Sequence, residues 1–159
     1  MAQIVRIQLM LTLIAVAGCG GDGDGTTPAG RHVTWKDDGA AKTATLTVAT
    51  KGASGTMESR EILGTSPDVG VSIFVSAAAP LSAQTFDCSA LTAGQTATVS
   101  YTESDGGLQL SMQTCTVNLT QVGEVGGASV VGTFTATFNL DAGGTKTITN
   151  GNFNVPVTM

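Results

Sequence analysis

The chain has 159 residues, 42% of them hydrophobic and only 12% charged, against the ~25% charged of an ordinary soluble protein. That is one domain with a core to bury, and it excludes a polyelectrolyte, a coiled coil or a charge-driven disordered tail. The net charge of −5 lacks the basic footprint a nucleic acid needs, so no nucleic-acid partner is expected, while 25 Thr and 21 Gly beside 4% aromatics point to short strands and turns.

Residues 1–18 read as a signal segment. Arg6 is the only charge before Asp22. Residues 9–17 form an apolar run that, as a helix, is about 14 Å long, half of a ~30 Å hydrocarbon core. Such a run suits a signal-peptide h-region better than a stable membrane span. It ends in Val16-Ala17-Gly18-Cys19, which resembles the bacterial lipobox: a branched apolar residue, two small residues and an obligatory Cys. The resemblance implies diacylglycerol on the Cys19 thiol, cleavage before Cys19, and a membrane contact made by the N-terminal lipid in the bacterial envelope. Each buried CH2 contributes about 0.8 kcal/mol, so two or three acyl chains hold firmly. Gly20, where an Asp favours inner-membrane retention in enteric bacteria, points to the outer membrane. The alternative is an ordinary secretory signal that happens to contain a Cys.

Residues 19–30 are the lipidated Cys and a Gly/Asp-rich tether with no apolar side chain larger than Pro. It cannot bury surface and reads as a flexible spacer. Asp22 and Asp24 superficially suggest a calcium loop, but the twelfth position, which needs a closing Glu, is Val33.

From Arg31 to Met159 the pattern has a period of two, which predicts a single all-β domain. Residues 43–50 alternate Thr with Ala44, Leu46 and Val48, and these three are expected to face the core. Likewise Ala97, Val99 and Tyr101; Cys115, Val117 and Leu119; and Phe134, Ala136, Phe138 and Leu140 form apolar faces behind Thr and Ser. Such alternation argues antiparallel strands with one wet face. The denser run 71–75 suits a central strand. Residues 108–112, 153–157, 33–35 and 147–149 complete eight or nine strands. The segment 57–63 alone has helix-forming composition, but its length favours a strand or an irregular edge.

Hairpin turns are expected at Asp105-Gly106-Gly107, at 141–144 and at Asn150-Gly151, where a type I′ turn would fold 147–149 onto 152–155. This strand count predicts an antiparallel β-sandwich, with a closed β-barrel as the alternative.

Cys88 and Cys115 remain once Cys19 is lipidated. In an oxidising compartment two leftover thiols pair, and a disulfide closing 27 residues is predicted.

Motifs for catalysis are scarce. His32 is the only imidazole and stands at the end of the tether, a poor place for a triad. No G-x-S-x-G, H-E-x-x-H, Walker or G-x-G-x-x-G pattern occurs. No cofactor and no metal are expected. The candidate ligand contacts are the larger and charged groups near turns: Trp35, Asp37, Asp38, Glu103 and Asp105. The acidic pairs there could hold Ca²⁺, although solvated turn acids are the simpler reading. Trp35 shares its parity with Val33 and also suits the core. Specific contacts are expected from residues 35–38, 57–68 and 103–107, since Thr-rich strand faces make poor binding anchors.

Three segments, Cys115-Thr-Val-Asn-Leu-Thr, Val131-Gly-Thr-Phe-Thr-Ala-Thr-Phe138 and Ile148-Thr-Asn-Gly-Asn-Phe-Asn-Val155, are similar to a family of small bacterial lipoproteins. That family has a "G-T-F" strand and a closing "I-T-N-G-x-F-x-V" hairpin. The likeness covers residues 96–157. It implies a β domain in the envelope and carries no catalytic residue, since the family has no assigned activity. The function expected is a non-catalytic binding or structural module facing an envelope protein or polymer. The alternative is a hydrolase or metal-dependent enzyme using loop carboxylates.

Overall fold

A computed structural model describes residues 30–103, 111–140 and 143–158. The signal segment, Cys19, the spacer up to residue 29, the turn at 105–107 with Asp105, and Asp141 lie outside the described residues. The described residues form ten strands: β1 (His32–Asp37), β2 (Ala40–Thr43), β3 (Leu46–Ser54), β4 (Met57–Thr65), β5 (Val69–Ala78), β6 (Thr85–Asp87), β7 (Thr96–Glu103), β8 (Ser111–Val122), β9 (Ser129–Asn139) and β10 (Thr145–Thr158). The all-β reading holds. The segment 57–63 is part of β4, a central strand, and so is not the loop of specific contacts expected there.

One sheet runs β6-β8-β9-β10-β3-β4-β5-β7, with β1 paired to β10 and β2. It has two antiparallel leaves, β6-β8-β9-β10 and β3-β4-β5-β7. They are joined where Val157 and Thr158 of β10 lie parallel to Ala49 and Thr50 of β3. At the far side β7 packs against β8 and β6. The sheet thus curls into a nearly closed barrel whose leaves face each other as in a sandwich. Although β7 and β8 are consecutive, they are not ladder partners among the described residues. They meet along a seam, bridged where the Val99 amide donates to Met112 Sδ at 3.4 Å.

β7, β8 and β9 bury the faces their alternation predicts, and the dense run within β5 proves to alternate as well. On β5, Val69, Val71, Ile73, Val75 and Ala77 are inside; on β7, Ala97, Val99 and Tyr101; on β8, Cys115, Val117 and Leu119; on β9, Phe134, Ala136 and Phe138. Phe134 stacks obliquely on Phe153, centroids 6.3 Å apart, and Tyr101 reaches across to Phe138 at 6.1 Å. Each buried Phe contributes about 1.5–3 kcal/mol.

The face predicted for β3 is reversed. Thr47 and Ala49 are buried, whereas Leu46 is 56% exposed and Val48 only half-buried. The register with β4 decides this. Ala49 stands opposite Ile62 and Thr47 opposite Gly64, and directly paired residues share a face. Ile62 is fully buried, so Ala49 must be inside with it. The space beside Gly64 is taken by Val33: a Cβ added there would stand 2.8 Å from the Val33 Cβ. Thr47 is buried beside it, and its hydroxyl accepts from Arg31 Nε at 2.6 Å.

The hairpin predicted at Asn150-Gly151 is also absent. β10 runs straight through it as one strand. β9 pairs with β10 on both sides, Thr145 to Ile148 before and Gly151 to Pro156 after, and the register shifts between them. Asn150, at φ 51°, is the extra residue of a bulge. Gly151 is required because a Cβ would meet the Phe134 ring at 2.5 Å. Continuous pairing with β9 offsets the local turn preference.

Cys88 and Cys115 form the expected disulfide, 27 residues apart, fastening the segment after β6 to β8. The Cys88 amide also donates to the Cys115 carbonyl at 2.9 Å.

Candidate functional site

β1 starts beside Asn154 and ends beside Ile148 of β10. Asp37 therefore lies about 16 Å along the strand from His32, at ~3.3 Å per residue. This carries it to the end of β1 remote from His32. There Asp38, at φ 45°, opens the tight β1–β2 turn. Its Oδ1 accepts from the Thr147 amide at 2.8 Å and the Thr147 hydroxyl at 3.1 Å, tying the turn to β10.

Lys146, at the start of β10, reaches into this end. Its ammonium is 3.3 Å from Asp37 Oδ1, pairs with Glu103 of β7, and lies 4.8 Å over the Tyr101 ring. The Tyr101 hydroxyl donates to Asp37 Oδ2. Among the described residues Asp37 Oδ1 receives no well-angled hydrogen bond and rests on the charge of the ammonium. Lys146, Asp37 and Glu103 retain 15%, 10% and 24% side-chain exposure, so solvent screens them only in part.

The protonation states follow. Burial raises the Tyr101 phenol well above its ordinary range, and the bond to the Asp37 carboxylate raises it further. Burial works against the Lys146 charge, but the Glu103 and Asp37 carboxylates outweigh it and hold the ammonium above the usual lysine range. The two acids thus share one cation, the Lys146 ammonium.

Of the residues singled out in the sequence, Asp37, Asp38 and Glu103 come together here; Asp105 lies outside the described residues. Trp35 is 2% exposed and forms part of the core with Val33. Its indole Nε1 has no hydrogen-bond partner among the described residues. Lys146 carries no local signal, because its role depends on β10 lying beside β1 and across from β7.

A second charged group lies at the opposite end. Arg60 of β4 is fully buried. Its Nε donates to the Val122 carbonyl at 2.6 Å and its Nη1 to the Ser59 carbonyl at 2.8 Å. Nη2 makes no hydrogen bond among the described residues but is 3.7 Å from Glu124 and 3.9 Å from Glu58. Lys51 pairs with both carboxylates, at 3.2 and 3.3 Å. The Leu81 amide, followed by Lys51, holds the Glu58 carboxyl below the usual carboxylate range. Arg60 thus closes this end by satisfying carbonyls where β8 leaves the sheet.

Between the ends, Thr114, Thr116, Thr135, Thr137, Thr147 and Thr149 line an outer groove of roughly 290 Å³ across β8, β9 and β10. Asp87 is the one charged group in its lining; the rest are small neutral side chains, poor binding anchors.

No family model, curated protein or solved structure matches this chain.

Proposed function

We propose that the chain is a lipid-anchored protein of the bacterial envelope, placed in the outer membrane. Its barrel is a non-catalytic binding or structural module. The observation that carries the anchor is the Val16-Ala17-Gly18-Cys19 box, set behind a short apolar run and ahead of a Gly/Asp-rich spacer. The barrel supports the reading by its polarity. The tether joins at the start of β1, and Asp37, Asp38, Glu103 and Lys146 lie where β1 ends. A partner, an envelope protein or polymer, meets the end remote from the membrane. The mixed charge there favours a polar ligand that can replace one carboxylate on Lys146.

The convergence of Asp37 and Glu103 is also the observation that favours a carboxylate hydrolase. A general acid and base need pKa values driven apart by their surroundings. Here both acids share one cation, so binding is preferred.

The anchor is tested by replacing Cys19 with Ser and fractionating cells. The variant should leave the membrane fraction, and mass spectrometry of the wild type should show acylated Cys19 as the first residue. Equal membrane association of the variant overturns the anchor. The binding end is tested by pull-down from envelope extract. Glu103→Gln and Asp38→Ala should weaken recovery of whatever the wild type retains; a hydrolytic activity lost in Glu103→Gln would establish the enzyme reading instead.

A further inference from the structure

The two ends of the sheet, β7 on one side and β6–β8 on the other, meet without a ladder among the described residues. A strand N–H points to one side only, and the Val99 amide points across this seam to Met112 Sδ at 3.4 Å. It is therefore turned away from β5, where Ile73 stands opposite Val99. Val99 is fully buried, so this amide has no solvent to turn to. A thioether is a weak acceptor, and a buried backbone donor that faces one is poorly satisfied.

The placement of Met112 is built into β8. The register with β9 slips between Met112 and Thr114, a bulge of the kind that re-aims a neighbouring side chain. Met112 stands opposite Phe138 and packs against the core, yet it is only half-buried. Its side chain thus lies at the boundary between core and solvent. Met is unbranched, and its three rotatable bonds let the sulfur shift while the backbone stays in place.

We propose that Met112 is a site of reversible oxidation, and that its sulfoxide latches the seam. The oxidant is a hydroperoxide. Its terminal oxygen bonds to Sδ as the O–O bond breaks, and the proton on that oxygen passes to the leaving oxygen. The thioether is oxidised to the sulfoxide, and hydrogen peroxide is reduced to water. The new oxygen is a strong acceptor set before a donor that has only a weak one. Sδ withdraws towards solvent, and the oxygen takes the Val99 amide. Oxidising a methionine in a closed core disrupts packing; at this seam it supplies a better acceptor instead. β7 also carries Tyr101 and Glu103 to the Lys146 cluster, so fastening its edge steadies those two groups.

The test treats the full-length protein, in detergent, with hydrogen peroxide until the peptide holding Met112 gains one oxygen by mass. Amide hydrogen exchange is read by NMR before and after. Exchange at Val99 should slow roughly fivefold, the worth of about one ordinary hydrogen bond, while Ala49 and Ile62, away from the seam, stay unchanged. Methionine sulfoxide reductase should restore the original rate. Met112→Leu, close in volume, should exchange faster at Val99 than the untreated wild type and show no response to peroxide. The wild-type comparison decides by itself if that variant fails to fold. Exchange at Val99 that is unchanged or faster after oxidation overturns the latch, and so does an equal change throughout the barrel. A Met112 that stays unoxidised in the folded protein, while free methionine in the same solution is consumed, overturns the site.

Discussion

Asp37 and Lys146 are 109 residues apart in the chain, yet the Lys146 ammonium stands 3.3 Å from Asp37 Oδ1. Their meeting requires β10 to lie against β1, and Glu103 joins them only because β7 faces β10 across the barrel. Lys146→Met would leave two carboxylates facing each other with little water. It should cost about 2 kcal/mol in urea unfolding. The loss should shrink when Glu103→Gln is added, since the repulsion is then gone. A loss unchanged by the second substitution would show that the three groups act independently.

The same cluster sets a response to alkali. Tyr101 and Lys146 both bind their protons more tightly when folded, as their pKa values are raised. Such stability is complete below the unfolded values, about 10 for both, and is lost as pH climbs through that range towards the folded ones. The thermal midpoint should be level between about pH 7 and 9 and fall above about 10. Tyr101→Phe should make that fall shallower. A midpoint level to about pH 11 would contradict the proton coupling.

The reversed face of β3 predicts unequal costs for two aliphatic residues. Leu46→Ser should change stability by no more than about 0.5 kcal/mol, as at other exposed sites. Ile62→Ala, which empties the space beside Ala49, should cost about 2–5 kcal/mol. Similar large losses at both positions would restore the sequence pattern and refute the register.

Reducing the Cys88–Cys115 bond should lower stability by about 3.5 kcal/mol, from the 27 residues it closes. Denatured but unreduced protein should bind no thiol reagent at these two positions. Reaction at both would exclude the bridge.

Much of the barrel was legible because some strands speak locally. Phe134, Ala136 and Phe138 alternate with Thr, and their inward face follows from that alone. β3 was misread because its own residues do not decide its face: Ile62, Gly64 and Val33, on other strands, do. Asn150-Gly151 carries a strong turn signal, yet β9 pairs with β10 on both sides of it, and a bulge results. The acids of the site could be picked out because they stand beside turns. Lys146 could not, since nothing near it in sequence hints at Asp37 or Glu103. Arg60 was hidden for a related reason: a charge among strand-like residues reads as surface until the sheet closes over it.

The position of β10 also sets the order of assembly. Among the described residues the β3–β4–β5–β7 leaf and the β8–β9 pair share no ladder of their own; β10 joins them. A chain emerging residue by residue from a ribosome or a translocation pore therefore carries two unfinished sheets with open edges until residues 145–158 follow. Closure of the barrel therefore waits on β10, and both open edges stay available for pairing until it arrives.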